Sequence, residues 1–474
     1  MAQFIGRQVE IARLRKAKEK KIASFVLVKG RRRIGKSRLI DEFGKEFDHY
    51  YRFTGIPPTP TTTGQHQLDE FSRQLAKNFN APLAKYDDWS NALWAVAERV
   101  TSGKILLLFD EISWMGSRDP NFLGKIKNLW DQHLKKNDNL VFIICGSASA
   151  WIEKNILSNT GFVGRISFTI VLQELSLADC ARFWPKKIAA FEKLKLLSIT
   201  GGVPRYLEEA NTQLSAEENV KTLCFTEGGL LVNEFEQIFS DIFLHESLFY
   251  LKIVTALAKG SKDQTAIQEV LKLDAPGRVP EYLWELELAG FIARDYTWDI
   301  KSGCDSKLSR YRLKDNYLRF YLKYIEKNMT KIKRGNFTFK SLGLLPEWHA
   351  IAGLQFENLV LNNRLEIHQS LGLSADEIVS ENPFFQRTTA RTPGCQIDYL
   401  IQTRFQNLYV CEIKFSKNKI GAEVISSVKR KIDSLRMPKG FSCRPVLIHA
   451  GEVSEEVIGS DYFANVIDMS TFMS

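Results

Sequence analysis

Between about residues 22 and 170 the chain alternates short apolar runs with helix-period stretches: IASFVLVKG, SRLIDEFGKEF, KILLLFDEIS, a helical pattern near Phe122 to Lys136, and LVFIICGSAS. Unbroken apolar runs separated by helices predict a parallel β-sheet covered on both faces, since a strand buried on both sides has no polar face to alternate. Residues 56–64 (IPPTPTTTG) break the pattern and read as an exposed loop. From 172 to about 240 no strand-like run occurs, and Ser176 and Asp179 stand in capping positions before a periodic apolar stretch, so helices are expected. From 246 to about 325, helix-like segments lead into GRVPEYLWELELAGFIARD. A polar stretch, Lys301 to Ser309, and a strand-like YRL follow, which fits three helices and a two-stranded wing. A Lys/Arg-rich connector, Lys327 to Lys340, leads to helix, strand, strand and helix signals between Gly353 and Ser474.

At 474 residues the chain exceeds what one hydrophobic core supports, and two to four domains are expected. Its 44% apolar and 25% charged residues are ordinary globular values, and no run approaches the ~18 apolar residues of a membrane span. No membrane partner is therefore expected. Met1 to Glu10 carries charge and no apolar core, so no export signal is read and a cytoplasmic location is expected. Seven scattered cysteines without a C-x-x-C pair argue against a disulfide framework or a zinc site. A net charge of +10 favours polyanionic partners, although a solvated basic surface has the same composition.

The sharpest chemistry is GRRRIGKS, Gly30 to Ser37, which matches G-x-x-x-x-G-K-[ST] between the strand-like FVLV and the helical RLIDEFGKEF. Gly30 and Gly35 let backbone N–H groups turn toward phosphates, the following helix points its positive end at them, Lys36 reaches the terminal phosphates and Ser37 binds Mg²⁺. The nucleotide-binding segment runs from Gly30 to Arg38 and includes Arg31, Arg32, Arg33 and Ile34. The three arginine side chains are expected to face outward, because only the glycines and Lys36 have room near the phosphates. In ILLLFDEIS, Asp110 would hold the water shell of Mg²⁺ and Glu111 would polarise the attacking water. The next apolar strand ends in GSASA, where Ser147 and Ser149 are candidate sensors of the terminal phosphate. Arg165 is either an arginine finger, from the same chain or a neighbouring subunit, or an ion-paired surface residue.

A second constellation lies in QIDYLIQ, a turn near Arg404 to Asn407, and NLYVCEIKF. Alternate strand residues share a face, so Glu412 and Lys414 stand together, and a hairpin centred near Phe405 sets Asp398 opposite Glu412. Like charges facing across a strand pair are destabilising, so the pair calls for a cation, and Mg²⁺ is suited to two carboxylates. Lys414 would orient water or stabilise a pentavalent phosphate, and Glu357, in the helical GLQFENLVLNN, would face the same metal.

FIGRQVEIARL, the phosphate loop, LLLFDEIS, GRISFTI and GGVPRYLEEA, in this order over residues 3–240, resemble the archaeal-type P-loop ATPases related to the STAND and AAA+ groups. The resemblance implies ATP as the nucleotide, with no guanine-reading N-K-x-D present, and contacts to base and phosphates from Gly6, Arg7 and Pro204, with Arg205 nearby. Helix Glu, strand Asp and strand Glu-x-Lys over about 350–450 resemble the PD-(D/E)XK nuclease superfamily, although Gln396 and Ile397 stand where a proline is expected before Asp398. The expected fold class is α/β: a P-loop parallel-sheet ATPase core (1–171), a helical lid (172–243), a winged-helix-like domain (244–326), a basic connector (327–349) and an α/β PD-(D/E)XK nuclease-like domain (350–474).

These readings make the chain an ATP-binding and hydrolysing protein with ATP and Mg²⁺ as cofactors, coupling nucleotide state to DNA binding and Mg²⁺-dependent DNA cleavage. Arg278, Arg294 and the connector lysines are candidate phosphate contacts, whereas Trp284, Leu286 and Leu288 are expected in the core. A winged fold serves protein contacts equally well. The alternative is an ATP-dependent regulatory switch whose last domain docks a protein partner without cutting; homo-oligomerisation is left open, and a P-loop kinase is disfavoured for want of an acceptor site.

Overall fold

Six-residue strands β1 (Ser24–Lys29, SFVLVK) and β3 (Ile105–Asp110, ILLLFD) and the seven-residue β4 (Leu140–Gly146) are buried along their whole length, which is why they read as unbroken apolar runs. With β2 (His49–Thr54) and β5 (Phe168–Val171) they form a parallel five-stranded sheet of order β2-β3-β4-β1-β5. The sheet has one core on each face. Phe25, Leu107, Phe109 and Phe142 point into one, and Val26, Val28, Leu106 and Ile143 into the other. The computed structural model describes residues 3–147, 149–242, 247–271, 276–390 and 393–473, which leaves Ala148 of GSASA and the expected 243/244 boundary outside. The described chain divides into two compact units, 1–173 and 174–474.

The second unit begins with helices Leu177–Ala181, Ala190–Thr200, Pro204–Glu208, Ala216–Cys224 and Leu230–Ile242. Ser176 caps the first of them by accepting from the Asp179 N–H at 3.2 Å, as its sequence position predicts. Three helices follow, Ser247–Leu257, Gln264–Leu271 and Val279–Leu288, and then the antiparallel pair β6 (Ile292–Trp298) and β7 (Asp305–Leu313). β7 starts inside the polar stretch Lys301 to Ser309, earlier than the strand-like YRL, since its alternating outward and inward residues form a half-buried strand that needs no long apolar run. Leu286 is buried, but Trp284 is 36% exposed, which corrects its expected place in the core.

Lys327 to Lys340 is not a bare connector. It carries the helix Met329–Lys333, and Ile332 and Phe339 are buried in the main core of this unit. Beyond it, the helix Trp348–Asn362 and the strands β8 (Ile378–Gln386), β9 (Cys395–Thr403), β10 (Asn407–Phe415), β11 (Ser442–Ala450) and β12 (Asn465–Asp468) build a second five-stranded sheet, order β12-β11-β10-β9-β8. Sequence reading found two of its strands. β8, β11 and β12 are broken by polar residues or proline, and tertiary pairing makes them strands.

The β6-β7 pair is fastened to this sheet. Trp298 packs edge-on against Phe384 at 5.2 Å and donates its indole N–H to Gln402 Oε1 at 2.5 Å, while Gln402 Nε2 donates to the Ile300 carbonyl at 3.0 Å. Asn382 Nδ2 donates to the Tyr296 carbonyl at 3.3 Å. Among the described residues no helix is long and apolar enough to cross a membrane.

Candidate functional site

β1 ends at Lys29 and the phosphate loop carries the chain into the helix Lys36–Gly44. Two backbone positions require glycine: Gly35, at φ 92°, caps the helix in the left-handed region, and a Cβ on Gly30, at φ 152°, would stand 2.7 Å from the Leu172 carbonyl oxygen. Lys36 is buried, and its ammonium donates to the carbonyls of Gly30 (2.9 Å) and Arg31 (3.0 Å), so the loop is closed around the cation that would meet the terminal phosphates. Arg31 lies in the same closed loop. It is buried, 6% exposed, which corrects the expectation that all three loop arginines face out; Arg32 and Arg33 are half-buried, with Arg32 5.9 Å over the Trp114 ring. Ile34 is a core residue, and Arg38 lies half-buried in the helix. Gly6 and Arg7 both have positive φ, and Arg7 donates to the carbonyls of Ile34 (2.9 Å) and Gln173 (2.7 Å), tying the amino-terminal segment to the loop.

The carboxyl ends of β1, β3 and β4 converge here. Ser37 Oγ donates to Asp110 Oδ2 at 2.9 Å, which joins the two residues proposed for Mg²⁺. Arg52, on β2, donates to the same oxygen at 2.6 Å. Burial works against its charge, but Asp110 and then Asp41 outweigh that and hold the guanidinium above its ordinary range. Glu111, at φ 50°, accepts from both the backbone N–H (3.1 Å) and hydroxyl (3.0 Å) of Ser147, so the carboxylate is aimed at the end of β4. Ser149 is buried nearby in sequence, with its N–H donating to the Ser147 carbonyl at 2.9 Å. Arg165 forms a two-pronged pair with Asp131, at 3.0 and 2.8 Å, the ion-paired option left open by its sequence. Pro204 belongs to the second unit, at the first turn of Pro204–Glu208, where Arg205 pairs with Glu209 at 2.6 Å.

In the second unit, β9 and β10 pair in the register Cys411↔Tyr399, which continued by one residue sets Glu412 opposite Asp398. Asp398 accepts from the Ile413 N–H at 3.0 Å, and Lys414 lies 2.7 Å from Glu412 Oε1. Between the carboxylates stands Lys431, from the helix Glu423–Ser434, at 3.1 Å from Asp398 and 2.5 Å from Glu412. Burial opposes this ammonium, but Asp398 and Glu412 hold it above its ordinary value. Burial, and next the Glu412 charge, raises the Asp398 carboxyl. Glu357 shares a cavity of about 200 Å³ with Asp398, and burial followed by the Asp398 charge pushes it up to about 7. Among the described residues no three His, Cys, Asp or Glu side chains stand close enough to enclose an ion. Two facing carboxylates are nonetheless the number Mg²⁺ commonly takes, and a cation already bridges them.

Residues 4–210 match the family described as an ATPase domain predominantly from Archaea. The chain carries an archaeal-type ATPase domain. An uncharacterised protein of Methanocaldococcus jannaschii is 25% identical over 374 residues, 77% of this chain and 78% of that one. Among solved structures, a Walker-type ATPase of Pyrococcus abyssi is 16% identical at TM-score 0.49, covering 67% of this chain and 96% of that chain. The ORC2 protein of Aeropyrum pernix is 12% identical at TM-score 0.43, covering 70% and 96%.

Two residues of these sites were missed from sequence. Arg52 of the ATPase domain and Lys431 lie in stretches, 50–100 and 420–474, that carry no motif. Their one sequence signal is a basic residue on an amphipathic element, which any solvated face shares.

Proposed function

We propose that the archaeal-type ATPase domain hydrolyses ATP at Lys36, Ser37, Asp110 and Glu111, and that its nucleotide state governs DNA binding and Mg²⁺-dependent DNA cleavage by the second unit. The hydrogen bond from Ser37 to Asp110 carries the first half: a hydroxyl from the first turn of the helix Lys36–Gly44 and the carboxylate at the end of β3 meet beside the buried Lys36. These two residues would hold Mg²⁺ at the nucleotide, and Asp398 with Glu412 would hold it in the second unit, with Glu357 at the cavity wall. When bound, Mg²⁺ neutralises phosphate charge and lowers the pKa of a water. Lys36 neutralises the terminal phosphates, Glu111 orients the attacking water, and Ser147 keeps Glu111 in place. In the second unit Lys414 supports charge that grows as the phosphate becomes pentavalent.

The lid, winged-helix and nuclease-like assignments belong to the same reading. They are supported by the helices of 174–242, by three helices followed by β6-β7, and by a helix Glu, strand Asp and strand Glu-x-Lys around one mixed sheet. The rival reading, an ATP-dependent switch whose last domain docks a partner, draws support from Lys431, because a carboxylate pair with its own counter-ion is stable without metal.

The test combines phosphate release with plasmid nicking in Mg²⁺ or Mn²⁺. Lys36→Ala is expected to lose ATP binding, and Glu111→Gln to keep binding while turning over about 10²-fold more slowly, as for loss of one positioned catalytic group. Asp398→Ala is expected to abolish nicking. Equal ATP affinity and turnover in wild type and Lys36→Ala would sink the ATPase assignment; wild type that nicks no DNA in any nucleotide state would leave the docking reading.

A further inference from the structure

A groove runs between β7 and the edge formed by β8 and β9. Its outer part, about 350 Å³, lies between Asp263 and Arg310 on one side and Phe385, Arg387 and Gln396 on the other. It shares Arg310, Phe385 and Gln396 with the inner cavity that ends at Glu357 and Asp398, so the two form one path to the carboxylates. The path exists because β6-β7 is pinned to the sheet by Trp298, Gln402 and Asn382 rather than projecting from it.

The cations along this path divide into two kinds. Arg312 and Arg319 are committed to the protein: Arg312 donates to Asp295 at 2.9 Å and to Asn358 at 2.5 Å, and the fully buried Arg319 donates to the Leu313 carbonyl at 2.6 Å. Arg310 is different. It lies half-exposed, 4.8 Å over the Phe385 ring, which fixes the guanidinium plane while leaving its N–H edge to the groove. Arg387, 72% exposed, faces Asp263 at a loose 3.8 Å. A guanidinium steadied by an aromatic ring and a second one nearby suit phosphodiester oxygens, which a planar fork of donors meets two at a time.

We propose that this groove is a channel for one nucleic-acid strand, in which Arg310 and Arg387 anchor backbone phosphates and lead the next phosphodiester to Asp398. The inference rests on the cleavage reading for what happens at the inner end, but the anchoring does not depend on it. Enclosure selects a single strand: the inner cavity lies between β7, β8, β9 and the helix Trp348–Asn362, where one extended strand can enter but a duplex, which is wider than its own ~12 Å major groove, cannot. The wing, in this view, forms a wall of the channel instead of lying on the backbone of a duplex.

The experiment measures binding of a short fluorescein-labelled DNA single strand to the full chain by anisotropy across salt concentrations. The variants are Arg310→Ala/Arg387→Ala and Arg310→Lys/Arg387→Lys, with the thermal midpoint of each as the check on folding. The alanine pair should lose affinity at least tenfold at low salt and flatten the slope of log K against log salt by about 1.4, two phosphates at 0.7 each, whereas the lysine pair keeps most of the slope. Where cleavage is seen, the alanine pair should raise KM with kcat nearly unchanged, opposite to Asp398→Ala, which should cut nothing yet bind normally. Unchanged affinity and slope in the folded alanine pair, no binding by wild type, or a preference for duplex over single strand would each overturn the proposal. If the alanine pair loses binding while wild type never cuts, the channel stands and only the cleavage reading falls.

Discussion

Lys431 decides how the carboxylates of the second unit coexist. Asp398 and Glu412 face each other across β9 and β10, and Glu412 is 2% exposed, so without a cation their repulsion would work against the sheet. Lys431→Met should therefore cost on the order of 3 kcal/mol at neutral pH, as for a buried pair that loses one partner. Mn²⁺ should restore more of the melting temperature in this variant than it adds to wild type. A thermal melt with and without Mn²⁺ checks this, and an equal response in both proteins would mean that no ion replaces the ammonium. Glu381 supplies one pH dependence. Burial raises its carboxyl, but hydrogen bonds from His368 (2.6 Å) and Tyr399, with Arg364 nearby, bring it below its ordinary 4.5. The folded chain thus holds its proton less tightly than the unfolded one, so the stabilisation is complete above pH 4.5 and is lost as pH falls through the depressed value. Glu381→Gln should be less stable than wild type at pH 6, with the difference shrinking as pH is lowered below 4.5, measured by urea unfolding across that range.

At the scale of elements, the β6-β7 pair shows how a motif acquires its role from what it packs against. Trp298 is buried between the wing and the sheet, with its N–H satisfied by Gln402. Trp298→Ala should remove both the packing and that hydrogen bond and cost about 3–5 kcal/mol, the usual range for an aromatic-to-alanine change in a core. Urea unfolding followed by tryptophan fluorescence of another site would register it. A loss below about 1 kcal/mol would mean that the wing is not held by this contact. The ATPase strands make the contrasting case: β1, β3 and β4 are buried on both faces, so local sequence and tertiary environment agree and their apolar runs are legible without context.

For the molecule as a whole, division into two compact units predicts a response to nucleotide centred on one of them. A ligand that binds only folded protein stabilises it by mass action, so ATP at a hundred times its Kd should add about 2.7 kcal/mol to the unit holding the phosphate loop. Lys36→Ala should erase that gain without changing the ligand-free melting profile greatly. Calorimetry with and without nucleotide would separate these cases, and an ATP-induced shift that persists in Lys36→Ala would place the nucleotide elsewhere.

The sequence by itself determined the phosphate loop, the carboxylates at the end of β3 and the hairpin that opposes Asp398 to Glu412. Each depends on spacing within a short segment: eight residues for the loop, one strand end for Asp110, and a turn centred on Phe405 for the pair. Tertiary structure alone decided which cations serve them. Arg52 reaches Asp110 because β2 lies beside β3, and Lys431 reaches both carboxylates because its helix packs on β9 and β10. It also turned Arg31 inward, left Trp284 exposed, and built β8, β11 and β12 from segments without strand-like runs. The physical reason is the same throughout. A periodic pattern records which face of an element is buried, whereas the identity of the neighbour across that face depends on residues distant in the chain, and no local pattern carries it.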